Sequence, residues 1–154
     1  MKIHTKANNL KDAVINGVKK TFQEMAFIDV INIENEDLNV DYKHILFVNI
    51  LEPLLGKICL YLSYECKKRI LENIYGKNMK ELHINEIDDC QLELLNILVG
   101  NILSFYYKNK KKYMLDLPKI LFDEQEVRGD TKDMKAYYFD AEGCYFKLLV
   151  ALKD

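Results

Sequence analysis

The chain has 154 residues, 49% of them hydrophobic and 30% charged, and a formal net charge of −2. That length and apolar content fit a single domain spanning 1–154 with a real core and exclude a disordered chain. The near-neutral balance supplies no basic face for nucleic acid.

Residues 8–26 read as an amphipathic helix, with Leu10, Val14, Val18, Phe22 and Met25 on one stripe and Lys11, Lys19 and Lys20 outside it. Asn8 or Asn9 is the expected N-cap. The opening Met1–Asn9 stretch is polar, unlike a secretion signal. No apolar run reaches the ~20 residues that cross a bilayer, so a cytoplasmic protein without a membrane partner is expected. Phe27–Ile33 is rich in Ile and Val and fits a strand, followed by a polar turn at 34–37. Tyr42–Leu51 and Gly56–Tyr64 make two more strands, joined through Pro53 and Gly56. Glu65–Tyr75 is a short helix with Ile70, Leu71 and Ile74 inward and Gly76 just past its end.

Residues 78–86 read as a linker into a long helix, Asp88–Ser104, with Asp88 and Gln91 placed as a capping box. At about 100° per residue this helix separates into two faces. Leu92, Leu95, Leu98, Val99, Ile102, Phe105 and Tyr106 form an apolar arc. Asp89, Glu93, Asn96, Gly100, Ser104 and Tyr107 form a narrow opposite stripe without an aliphatic side chain. Glu93 and Asn96 stand three apart, which makes their side chains neighbours at about 5–6 Å. Gly100 leaves a notch one turn further on, where another chain can approach. The lysine run at 108–112 suits the negative end of the helix. Tyr113–Leu115 begins a strand that Pro118 interrupts, pointing to an edge or a bend. Residues 124–132 read as a polar loop, and Met134–Asp140 and Cys144–Leu152 as a hairpin turned at 141–143. Strands in groups with helices between them imply an α+β domain, a mainly antiparallel β-sheet with packed α-helices.

Four cysteines lack CxxC spacing and three histidines are scattered. No metal is therefore expected, and the cysteines read as small, reduced core residues. Cys90 has no histidine near it in sequence and no Gly-rich anion loop, so it is not a candidate nucleophile.

The pattern Asp89, Glu93, Asn96, Gly100, Asn101 resembles the active-site helix of the CheC/CheX/FliY chemotaxis phosphatases. Pro118 stands where that family carries a proline, one residue short of its spacing, and Thr21–Met25 resembles the end of its opening helix. Glu24 has no matching asparagine three residues later, so the length and single motif resemble the CheX branch, with one site where CheC has two. The resemblance implies a CheC/CheX-like fold and a phosphatase acting on a CheY-type receiver domain phosphorylated on aspartate. Asn96 would position the attacking water and Glu93 would pair with the receiver's lysine. Asp89, Gly100 and Pro118 would serve partner binding. No cofactor of its own is implied; Mg²⁺ is expected on the partner receiver. A homodimer is implied as well, and the strand 144–152, apolar on both faces, would be hidden if it paired across a two-fold axis. The alternative is a non-catalytic docking module of the same fold that binds a receiver or a flagellar-motor component.

Overall fold

The computed structural model describes residues 2–34, 38–127 and 134–152. Residues 35–37 of the expected turn at 34–37, and 128–132 of the expected loop at 124–132, lie outside them. Among the described residues three α-helices, α1 (Lys2–Ala26), α2 (Tyr64–Tyr75) and α3 (Ile84–Tyr107), accompany seven strands: β1 (Val30–Ile33), β2 (Ile45–Glu52), β3 (Gly56–Leu62), β4 (Met114–Leu115), β5 (Lys119–Leu121), β6 (Lys135–Ala141) and β7 (Cys144–Leu152). The strands form one sheet in the order β1-β6-β7-β3-β2-β4, with β5 also on β2, and every pairing is antiparallel. This is the α+β architecture that the sequence pattern implied.

Strand alternation sorts side chains between the two faces of the sheet. Phe139, Phe146, Leu148 and Val150 point toward α1 and α3, where Val14, Val18 and Phe22 meet them. Phe22 stacks on Phe146 with ring centroids 4.6 Å apart, and Phe139 lies on the other side of Phe146 at 5.0 Å. The opposite face carries a smaller cluster built on Val40, Ile45, Cys59, Tyr61 and Leu121, to which Val127 adds. Central β3 is buried on both faces because it lies between these two clusters.

Several boundaries differ from the sequence expectation. α1 begins at Lys2, so neither Asn8 nor Asn9 caps it. It ends where Phe27 takes a left-handed conformation (φ 57°) and donates its N–H to Gln23, so the following strand starts only at Val30. α3 begins at Ile84 and not at Asp88. Its cap is His83, whose Nδ1 accepts from the Asn85 N–H at 3.1 Å while the Glu86 carboxylate accepts from the His83 N–H at 3.0 Å. Two orphan donors of the first turn are thereby satisfied. The turn was hidden in the sequence because Ile84 is exposed and its neighbours are polar. β7 is interior, flanked by β3 and β6, so its ladder is already satisfied and it offers no free edge for a second subunit. The outer strands among the described residues are β1 and the β4/β5 pair.

α1 and α3 approach at backbone contact. A Cβ placed on Gly17 would lie 2.6 Å from Ile102 Cγ1 and 2.9 Å from its Cα. One turn further along α1, the buried Thr21 hydroxyl donates to the Gly17 carbonyl at 2.7 Å and accepts from Asn101 Nδ2 at 2.9 Å. Gly→Ala in an open helix stabilises by about 1 kcal/mol. At Gly17 the sign should reverse, because the α3 backbone must retreat and overpacking of this kind costs about 1–3 kcal/mol. Urea unfolding of Gly17→Ala should show a lower midpoint; a higher one would mean that the helices part freely.

Candidate functional site on the third helix

α3 packs against α1 and the sheet, and Leu94, Leu95, Leu98, Val99 and Ile102 are buried in the core they share. The buried arc is therefore rotated from the expected one. Leu94 and Leu103 are inside, Leu92 and Tyr106 are half-buried, and Phe105 is exposed. The polar stripe survives this rotation in its first half only. Asp89 and Glu93 are exposed and Asn96 is half-buried. Gly100 is buried, and Tyr107 packs against the core.

Glu93 and Asn96 form no side-chain hydrogen bond with another described residue. The contrast with Asn101 is informative. That amide is spent on the Thr21 hydroxyl and holds α3 to α1, whereas the Asn96 amide keeps its donors and its acceptor available. The sequence pattern thus contains two asparagines, one structural and one open. Cys90, between Asp89 and Glu93, is buried, and burial together with the Glu93 charge pushes its thiol up. A thiol held protonated is a poor nucleophile, in line with its exclusion from the sequence.

The notch at Gly100 is not open to a partner as the sequence suggested. A Cβ there would lie 2.6 Å from the hydroxyl of Tyr113, so this chain fills the notch itself. Tyr113 comes from the segment after the lysine run, and nothing in its local sequence points toward α3. The same segment continues through β4, Pro118 and β5 along the outer edge of β2, with β5 against α3. Pro118 is half-buried beside the exposed Leu117, and it interrupts the strand between β4 and β5 as expected.

Sequence reasoning also missed a cationic recess near the start of α3, lined by Lys43, His44, Tyr64, Lys67 and Gln91. Burial pushes the Lys67 ammonium down while Asp88 opposes that shift. His44 is likewise pushed down by burial, with Lys67 adding and Asp88 opposing. The recess holds only about 20 Å³, room for a water and not for a substrate. Glu93 and Asn96 line neither this recess nor the two larger cavities elsewhere on the surface. An open carboxylate–amide pair on a helix face is suited to a macromolecule that brings its own reactive group.

No family model and no curated protein matches the sequence. Solved structures do match it in fold. The chemotaxis protein CheX from Vibrio vulnificus superposes with a TM-score of 0.76 at 10% identity, covering 94% of this chain and 96% of that one. CheX in the CheX–CheY–BeF3–Mg²⁺ complex from Borrelia burgdorferi gives 0.69 at 13% identity, covering 93% and 97%. The FliM middle domain from Vibrio alginolyticus gives 0.59 at 12% identity, covering 94% and 91%. The chain has the CheC/CheX-like fold.

The Gly100–Tyr113 contact makes a testable pair. Gly100→Ala gains about 1 kcal/mol of helix propensity but expels the Tyr113 hydroxyl from its seat. In a Tyr113→Ala background only the gain remains. Urea unfolding should therefore give a coupling of at least about 0.5 kcal/mol between the two sites, and additivity would remove the contact from the account.

Proposed function

We propose that the chain is a phosphatase for the aspartyl phosphate of a CheY-type receiver domain, with Asn96 placing the attacking water and Glu93 pairing with the receiver's lysine. The observation that carries this reading is the open Glu93/Asn96 pair on α3, without a side-chain hydrogen bond to another described residue, in a fold shared with a CheX solved together with CheY. Hydrolysis of an acyl phosphate needs a water in line with the phosphorus–oxygen bond and stabilisation of the charge on the phosphoryl oxygens. Mg²⁺ on the receiver would supply part of that stabilisation. The contribution of this chain is positioning, which reaches several kcal/mol of the barrier, up to about 7–11 in well-oriented cases. An amide suits the task because it donates and accepts hydrogen bonds without titrating. A carboxylate one turn earlier on the same face gives the partner's ammonium a fixed point and sets the depth at which the amide enters. Asp89, a further turn back and exposed, would extend the acidic contact, and Pro118, between β4 and β5, would add to partner binding.

The likeness to the FliM middle domain supports a second reading, a docking module of this fold that binds without hydrolysis. Phosphate release from acetyl-phosphate-charged receivers separates the two. Acceleration by the wild-type chain is expected, with a loss of about 10²–10³ in rate for Asn96→Ala and an unchanged fold. Glu93→Ala should lower affinity as well as rate. An Asn96→Ala variant that keeps most of its activity would end the water-positioning role. Tight binding without acceleration would favour the docking module.

The proposal includes a homodimer, now by way of the sheet's outer strands, since β7 is interior. β1 presents Ile31 at 63% exposure on an edge with no neighbour among the described strands. Sedimentation at micromolar concentration should show a dimer that Ile31→Lys weakens; a wild-type monomer would remove this part of the proposal without touching the site on α3.

A further inference from the structure

Cys66, in the first turn of α2, and Cys144, at the start of β7, are separated by 78 residues, yet their Sγ atoms lie 2.6 Å apart. Both are buried and neither is in a disulfide. Their surroundings are unlike those of the other two cysteines. Arg69, one turn after Cys66, donates from Nη1 to the carbonyls of Ala141 at 2.9 Å and Glu142 at 2.6 Å. The Cys144 thiol donates to the same Ala141 carbonyl at 3.1 Å, so a guanidinium stands beside it. Cys144 also lines a surface cavity of about 380 Å³, together with Asn39, Asp41, Ser63, Glu65 and Tyr145. A small polar molecule in this cavity would stand against Cys144, with Cys66 in contact behind it.

The two thiols are polarised in opposite directions. Cys144 is drawn down, first by the hydrogen bond from Cys66 and further by Arg69, against its own burial. Cys66 is pushed up by that same bond and by burial. Cys59, buried with no thiol neighbour, is pushed up to about 12. An attacking thiolate with a resolving thiol in contact is the arrangement found in redox-sensing cysteines.

We propose that Cys66 and Cys144 are a modification site, a dithiol that hydrogen peroxide closes to an intrachain disulfide. The Cys144 thiolate attacks one peroxide oxygen; the O–O bond breaks, hydroxide leaves, and Cys144 becomes a sulfenic acid. The Cys66 sulfur then displaces the sulfenic oxygen as water, giving the S–S bond. Two thiols and one peroxide become one disulfide and two waters, the sulfurs being oxidised and the peroxide reduced. The bond needs a separation of about 2.05 Å, a small displacement from the one observed. It would tie α2 to the β6–β7 hairpin at the point that Arg69 already holds.

The test treats the purified full chain with a few equivalents of peroxide, alkylates it under denaturing conditions and maps the peptides without reduction. Alkylatable thiols should fall from four to two, the Cys66 peptide should be joined to the Cys144 peptide, and dithiothreitol should restore all of them. Cys66→Ser should stop at a Cys144 sulfenic acid that dimedone captures. Four unchanged thiols, a bridge through Cys59 or Cys90, or oxidation of Cys144 without a bridge would each overturn the proposal. Equal closure rates in the folded and the urea-unfolded chain would overturn it too. If the serine variant does not fold, the wild-type map decides alone.

Discussion

The contact between Gly17 and Ile102 fixes the rotation of α3, and the site follows from that rotation. With no side chain at Gly17, α1 lies against the α3 backbone, and the Thr21–Asn101 hydrogen bond closes the same approach. One flank of α3 is then sealed by α1 and the next by the sheet. What remains outside is the sector holding Asp89, Glu93 and Asn96. A bulkier residue at 17 would push the helices apart and break the register between Asn101 and Thr21. The site therefore depends on a residue of a different helix that never touches it.

Much of the architecture was legible in the sequence because periodicity records burial. The 3.6-residue stripe of α1 and the alternation of β7 both mark faces that really are inside. The stripe on α3 was legible for the same reason, as an absence of aliphatic side chains. Failures came where structure is set by few residues or by distant ones. His83 is a poor advertisement for a helix start, while Asp88 is a good one, so the cap was misplaced by about a turn. The interior position of β7 could not be read from its own residues. An apolar strand looks the same whether its neighbours come from its own chain or from another.

The glycine and the asparagines show how one motif mixes two kinds of information. Asn96 and Asn101 are the same residue type five positions apart, yet only the second has a side-chain partner among the described residues. Gly100 suggests room for a visitor, but the room belongs to Tyr113, thirteen residues downstream and beyond a charged run. In each case the deciding contact joins segments distant in sequence, which spacing within one helix cannot record. The open pair and the filled notch lie on the same line of the helix, so the chain itself sets how far along α3 a partner can settle.

Strand order also bears on how the molecule comes into being. β7 pairs Val150 with Ile58 on one side and with Lys135 on the other, joining the early β2–β3 hairpin to the late β6 strand. β1 waits for the same event, because its partner is β6. Until residues near 150 are available, the inward faces of α1 and α3 have helix against helix but only part of a floor. Contacts between such distant segments make loop closure precede most of the reward, which slows folding. A nascent chain therefore spends its synthesis with Val14, Val18 and Phe22 on a helix that has only part of its sheet to rest on. The last strand acts as the keystone, and cooperativity across the whole domain is the consequence of placing it in the middle.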